Sequence, residues 1–106
     1  MAHKVRITAE AEEDLRSIGD YILAQHAPQA ARRFVQSLRR RIAALKSFPE
    51  GYGLAPEAQA AGVELRQVIH GMYRILYTVE GASVTIHAIR HGARRPLRPD
   101  ELPGQQ

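Results

Sequence analysis

The chain has 106 residues, 44% hydrophobic and 25% charged, which is enough for one globular domain with a single modest core. It has no cysteine, so disulfides, thiol catalysis and thiolate metal sites are excluded. No apolar run approaches the roughly 18 residues of a membrane span, and the opening "MAHKVRITAEAEEDL" has no apolar signal core. The expectation is a cytoplasmic protein with no membrane association. A net charge of +4, from 15 Lys and Arg against 11 Asp and Glu, favours an acidic partner, either nucleic acid or a negatively charged protein.

"HKVRI" alternates, with Val5 and Ile7 on one side and Lys4 and Arg6 on the other, and predicts a first short strand. Thr8 can cap the helix that follows, and the acids Glu10, Glu12 and Glu13 suit its positive end. Ala11, Leu15, Ile18 and Ile22 form one apolar stripe. Pro28 disfavours helical geometry at Ala27, so this helix is expected to stop near His26. The same proline can open a second helix, with Ala31, Phe34, Val35, Leu38, Ile42 and Leu45 on one face. So short a connection makes an antiparallel helical hairpin. Charge is segregated along it. Acids crowd the first helix, whereas Arg32, Arg33, Arg39, Arg40, Arg41 and Lys46 lie between Pro28 and Pro49 with no acid among them.

Residues 50–62, "EGYGLAPEAQAAG", read as a surface loop. "VELRQVIH", "MYRILYTV" and "SVTIHAIR" then give three strand-like runs separated by Gly71 and by Glu80-Gly81. The predicted fold class is α+β, in the order β-α-α-β-β-β: a helical hairpin on one face of a small, mainly antiparallel sheet. A single domain is expected over residues 1–96, followed by a Pro-rich tail at 97–106.

The end of the last strand gathers His87, Arg90, His91, Arg94 and Arg95. Strand alternation puts Val84, Ile86 and Ala88 on the face of Tyr73, Ile75, Tyr77 and Val79. Arg74 then falls with His87 and His91 on the opposite, polar face. Arg74 suits a phosphate or carboxylate through its planar fork, or it pairs structurally, for example with Glu64. His91 is either an acid or base near neutrality or a partly exposed histidine without a task. Arg94, Arg95 and Arg98 can neutralise phosphates or steer a protein partner. On a strand, His87 and His91 are roughly 13 Å apart, too far to share an ion at about 2 Å per bond. His3, His26 and His70 add no ligand pattern, so neither a metal nor another cofactor is expected.

"AEEDLRSIGDYI", "APQAARRFVQSLRRRIAALKSFPEGYG" and "YRILYTVEGASVTIHAIRHGARR" together resemble the RelE/ParE superfamily of bacterial type II toxin–antitoxin toxins. The resemblance spans about residues 5 to 96 and rests on Asp14-Leu15, Pro49 and the Tyr73-Arg74-Ile75-x-Tyr77 strand. It implies the fold already deduced, a cognate antitoxin as partner and a higher-order toxin–antitoxin complex. RelE-like members are ribosome-dependent mRNA endonucleases, whereas ParE-like members inhibit DNA gyrase. Arg74 and Arg94 match the two arginines of the RelE-like catalytic cluster, and His87 or His91 would have to supply proton transfer. "VELRQVIH" has only Arg66 where that cluster has lysines, no Tyr or His follows Arg95, and Gly92 and Ala93 fall near the places of the His-Tyr pair in related toxins. The long helical hairpin and short tail are closer to ParE. The resemblance thus implies a gyrase-docking toxin with Arg74, Arg90, His91, Arg94 and Arg95 as target-binding residues. The alternative is an mRNA endonuclease acting with the ribosome.

Overall fold

The computed structural model describes residues 2–25 and 27–92. Arg94, Arg95, Arg98 and the tail expected at 97–106 lie outside the described residues. Strand β1 is Lys4–Ile7, followed by helices α1 (Ala9–Gln25) and α2 (Pro28–Ala43), a short helix α3 (Ala58–Ala61), and strands β2 (Arg66–His70), β3 (Tyr73–Glu80) and β4 (Ser83–His91). Among the described residues no helix is long and apolar enough to cross a membrane.

Local chemistry sets the helix ends. The Thr8 hydroxyl accepts from the Ala11 N–H at 3.1 Å, and Glu10 and Glu12 sit in the first turn, facing the positive end of the helix dipole. Pro28 is the first residue of α2, where its missing N–H leaves no bond unmade. The two helices pack closely at Gly19, where an added β-carbon would lie 3.3 Å from Val35 Cγ2. Arg39 bridges back to Glu12 at 2.8 Å, which holds the Glu12 carboxyl below its ordinary pKa.

The sheet order is β1-β4-β3-β2. β1 runs parallel to β4, with Val5 opposite Val84, while the other pairs are antiparallel. The main core lies between hairpin and sheet. Leu15, Ile18, Leu38 and Ile42 pack against Val68, Ile75, Tyr77, Val84, Ile86 and Ile89.

Two expectations are corrected here. Residues 50–62 are not simply a surface loop, because α3 and its flanks fold under the second face of the sheet. Ala55, Ala58, Ala61 and Leu65 bury Leu76 and Ala88. Alanine-rich sequence reads as loop, yet small side chains are what let backbone lie close to a sheet. The other correction concerns β4. Tyr77 pairs with Ile86, but Leu76 pairs with Ala88, so His87 is an extra residue forming a β-bulge. Beyond it the faces exchange. Ala88 and Arg90 turn away from the helices, while Ile89 and His91 turn toward them, alongside Ile75 and Tyr73. Arg74 and His91 therefore do not share a face.

Phe48, between α2 and Pro49, is the one described non-glycine residue with positive φ, at 54°. A β-carbon in that left-handed region costs roughly 1–2 kcal/mol.

Leu38 is fully buried where α2 meets both α1 and the sheet. Leu38→Ala is expected to destabilise the fold by about 2–5 kcal/mol in denaturant unfolding, through lost burial and the cavity left behind. A negligible change would mean that Leu38 does not pack between the helices and the sheet.

Candidate functional site

The second face of the sheet carries Arg74. Its Nη2 donates to Glu57 Oε2 at 2.7 Å, and its Nη1 donates to Glu57 Oε1 at 3.0 Å and to Gln67 Oε1 at 2.9 Å. The arginine side chain is 12% exposed and the glutamate 3%. The guanidinium fork is thus engaged within the fold by a carboxylate that precedes α3. That partner is Glu57, not the Glu64 suggested by strand position, since Glu64 pairs with Arg66 at 3.4 Å. Arg90 lies opposite Arg74 in the adjoining strand, on the same face.

His87, the bulged residue, stays on this face. Its Nε2 lies 2.8 Å from the Thr78 hydroxyl. Burial pushes its pKa down and Arg6 pushes the same way, while Glu80 and Glu10 oppose them.

His91 belongs to the other face, near Tyr21 and Ile22 in the last turns of α1. It meets Tyr73 edge-on with ring centres 5.2 Å apart, Tyr73 tilts against Phe34 at 5.4 Å, and Phe34 meets His70 at 5.8 Å. Ser37 donates to the Phe34 carbonyl at 2.6 Å and lies 2.9 Å from His70 Nε2. With its single proton so used, the hydroxyl accepts from the imidazole N–H. Burial raises the Tyr73 pKa, with a smaller push from Tyr21.

This aromatic row floors a groove of about 840 Å³ between α1, the start of β3 and the end of β4, lined also by Asp14, Tyr21, Ile22, Met72 and Arg90. Tyr21 and Met72 are 62% and 68% exposed. The Asp14 carboxylate accepts the Ile89 N–H at 2.9 Å. β1 ends its pairing at Ile86, so the helix supplies an acceptor where the neighbouring strand has run out. A groove of this kind, apolar with a carboxylate and an imidazole at its margin, suits the side chains of a bound peptide.

Of the sequence-derived candidates, Arg74, Arg90 and His87 lie on one face, His91 lies on the other, and Arg94 and Arg95 lie outside the described residues. Sequence reasoning passed over Tyr21, Met72 and Glu57. Tyr21 could have been noticed as a large aromatic beside the apolar stripe of α1. Nothing local distinguishes Glu57, whose role exists only through tertiary pairing.

Glu57→Ala strands the Arg74 charge in a nearly dry site and is expected to cost about 3–5 kcal/mol. Arg74→Met combined with Glu57→Leu should cost clearly less than the sum of the two single changes in denaturant unfolding. Simple additivity would show that the two side chains do not act as a unit. For His87 the folded pKa lies below its ordinary 6.5. As pH falls through 6.5 the unfolded chain therefore takes up the proton first, and stability declines until the folded-state pKa is passed. His87→Gln should flatten the fall of the thermal midpoint below pH 6.5, and an unchanged slope would assign it to other groups.

A family model described as the ParE toxin of type II toxin-antitoxin system, parDE, matches residues 5–96. No curated protein matches the chain. Among solved structures, a chain described as the chromosomal ParDE TA system from P. aeruginosa superposes with a TM-score of 0.74 at 20% identity, covering 85% of this chain and 96% of that one. At that identity the likeness is one of fold, and it agrees with the helical hairpin on a four-stranded sheet. The family match over most of the chain places the protein: it belongs to the ParE toxins of type II toxin–antitoxin systems.

Proposed function

We propose that this toxin acts in the cytoplasm by docking on DNA gyrase, without RNA cleavage, and that a cognate antitoxin neutralises it. The supporting observation is the bulge at His87, which leaves Arg74 and His91 on opposite faces of the sheet. Attack by a ribose hydroxyl needs a base, a phosphate-stabilising cation and a proton donor within reach of one phosphate. Arg74 is committed to Glu57 and His91 packs edge-on against Tyr73, so the described residues bring no such trio together. Docking makes a lesser demand, a basic surface that steers and holds a partner. Arg90 at the end of β4, with Arg94 and Arg95 following it in the sequence, supplies the positive charge for this.

Membership of a toxin–antitoxin family implies an antitoxin partner. The groove beside Tyr21, Met72 and Tyr73 fits a segment that folds on binding, because it offers apolar area together with charge at its edge.

Purified toxin should inhibit gyrase supercoiling and leave ribosome-bound mRNA intact. Arg94→Ala with Arg95→Ala is expected to weaken inhibition roughly tenfold, or about 1.4 kcal/mol, with a larger loss at low salt. His91→Ala should have little effect. Site-specific mRNA cleavage on ribosomes, slowed about 10²–10⁴-fold by His91→Ala alone, would replace gyrase docking with the endonuclease reading.

A further inference from the structure

Phe48 belongs to neither the core nor the groove. Its side chain is 86% exposed and its backbone is left-handed. Neither feature helps the fold, since the ring stays in water and the conformation is unfavourable for a residue with a bulky side chain.

Its surroundings nonetheless hold the conformation firmly. Leu45 and Pro49, before and after it, are buried. The buried Tyr77 hydroxyl donates to the Pro49 carbonyl. The Arg66 guanidinium donates to the Tyr52 carbonyl at 2.5 Å and to the Glu50 carbonyl at 3.3 Å. The Gly51 N–H closes onto the Phe48 carbonyl at 3.0 Å, and Arg41 lies over the Tyr52 ring, 5.5 Å from its centre. Three carbonyl anchors, at Pro49, Glu50 and Tyr52, thus tie down the chain after Phe48, and the ring is presented from a rigid base. A preorganised, exposed aromatic loses little freedom on binding, and such residues dominate the energetics of protein interfaces.

We propose that Phe48 is the anchor by which this toxin holds its protein target. The ring enters an apolar pocket on a folded protein whose rim carries carboxylates. Those carboxylates face Lys46, which is exposed two residues earlier, and the basic last turn of α2 with Arg40 and Arg41. The inference rests on the docking reading above but not on the target being gyrase. A protein pocket fits better than single-stranded nucleic acid, because nucleic-acid platforms stack successive bases on several rings, whereas one ring stands out here. A second copy of this chain, itself at +4, lacks the required acidic surplus. The anchor is also separate from the groove: Phe34 lines the groove, and Phe48 follows the far end of the same helix.

The test compares wild type with Phe48→Asn, Phe48→Gly and Phe48→Tyr, using growth arrest on induced expression, the thermal midpoint, and binding of the purified toxin to a single-stranded oligonucleotide of about 15 nucleotides. Asn and Gly tolerate the left-handed backbone, so their midpoints should match or exceed that of wild type. Both should relieve growth arrest, with target affinity reduced roughly 30-fold or more, whereas Phe48→Tyr should remain toxic. Undiminished arrest by a folded Phe48→Asn variant would overturn the proposal, as would oligonucleotide binding that depends on the ring. A wild-type chain that arrests growth without inhibiting supercoiling would remove gyrase as the target and leave Phe48 judged on arrest alone. A wild-type chain that does not arrest growth would overturn the anchor as well.

Discussion

Between Ile86 and Ala88, β4 carries one residue more than β3 can pair, and every side chain from there to His91 is turned over as a result. The extra residue, His87, bonds to Thr78 on the second face of the sheet. Ile89 is turned into the main core and His91 into the aromatic row with Tyr73 and Phe34. Without the bulge, Ala88 would face the helices, and His91 would stand with Arg74 on the other side. Both the packing of the hairpin on the sheet and the dispersal of the titratable groups follow from this one insertion. Asp14 completes the arrangement by accepting the Ile89 N–H where β1 has ended, so a backbone donor that would otherwise lack a strand partner is satisfied.

The second face would be a broad polar surface but for the segment around α3. Its alanines lie against Leu76 and Ala88, and Glu57 reaches in to Arg74 with Gln67 alongside. Burying two charges is expensive, and their mutual attraction with full hydrogen bonding roughly offsets that expense. The gain is therefore in specificity more than in stability: the pair fixes where an otherwise weakly patterned segment sits. The same pairing withdraws a guanidinium from the surface, which weighs against phosphate chemistry at that face.

Two of the exposed apolar features lie toward opposite ends of α2. At one end the groove exposes Tyr21 and Met72 beside Tyr73 and His91. At the other, Phe48 projects from a turn held by Tyr77 and Arg66. A ParE toxin must be recognised by an antitoxin, and a chain with two separated apolar features can present different surfaces to different partners. Exposed aromatic area of this kind is otherwise a liability for a free protein.

Much of the architecture was legible in the residues alone. Thr8, Pro28 and the apolar spacing of Leu15, Ile18, Leu38 and Ile42 determined two helices and their inward faces, because capping and a 3.6-residue period act within a few residues along the chain. Alternation did the same for the strands, and the order of elements then admitted few arrangements. Tertiary structure alone decided the bulge at His87, the burial of the alanine-rich segment, the choice of Glu57 over Glu64 for Arg74, and the left-handed backbone of Phe48. Each depends on which distant backbone or side chain lies opposite. A bulge exists only relative to a partner strand, an ion pair only once two segments have met, and a strained residue persists only where buried neighbours such as Tyr77 and Pro49 hold it.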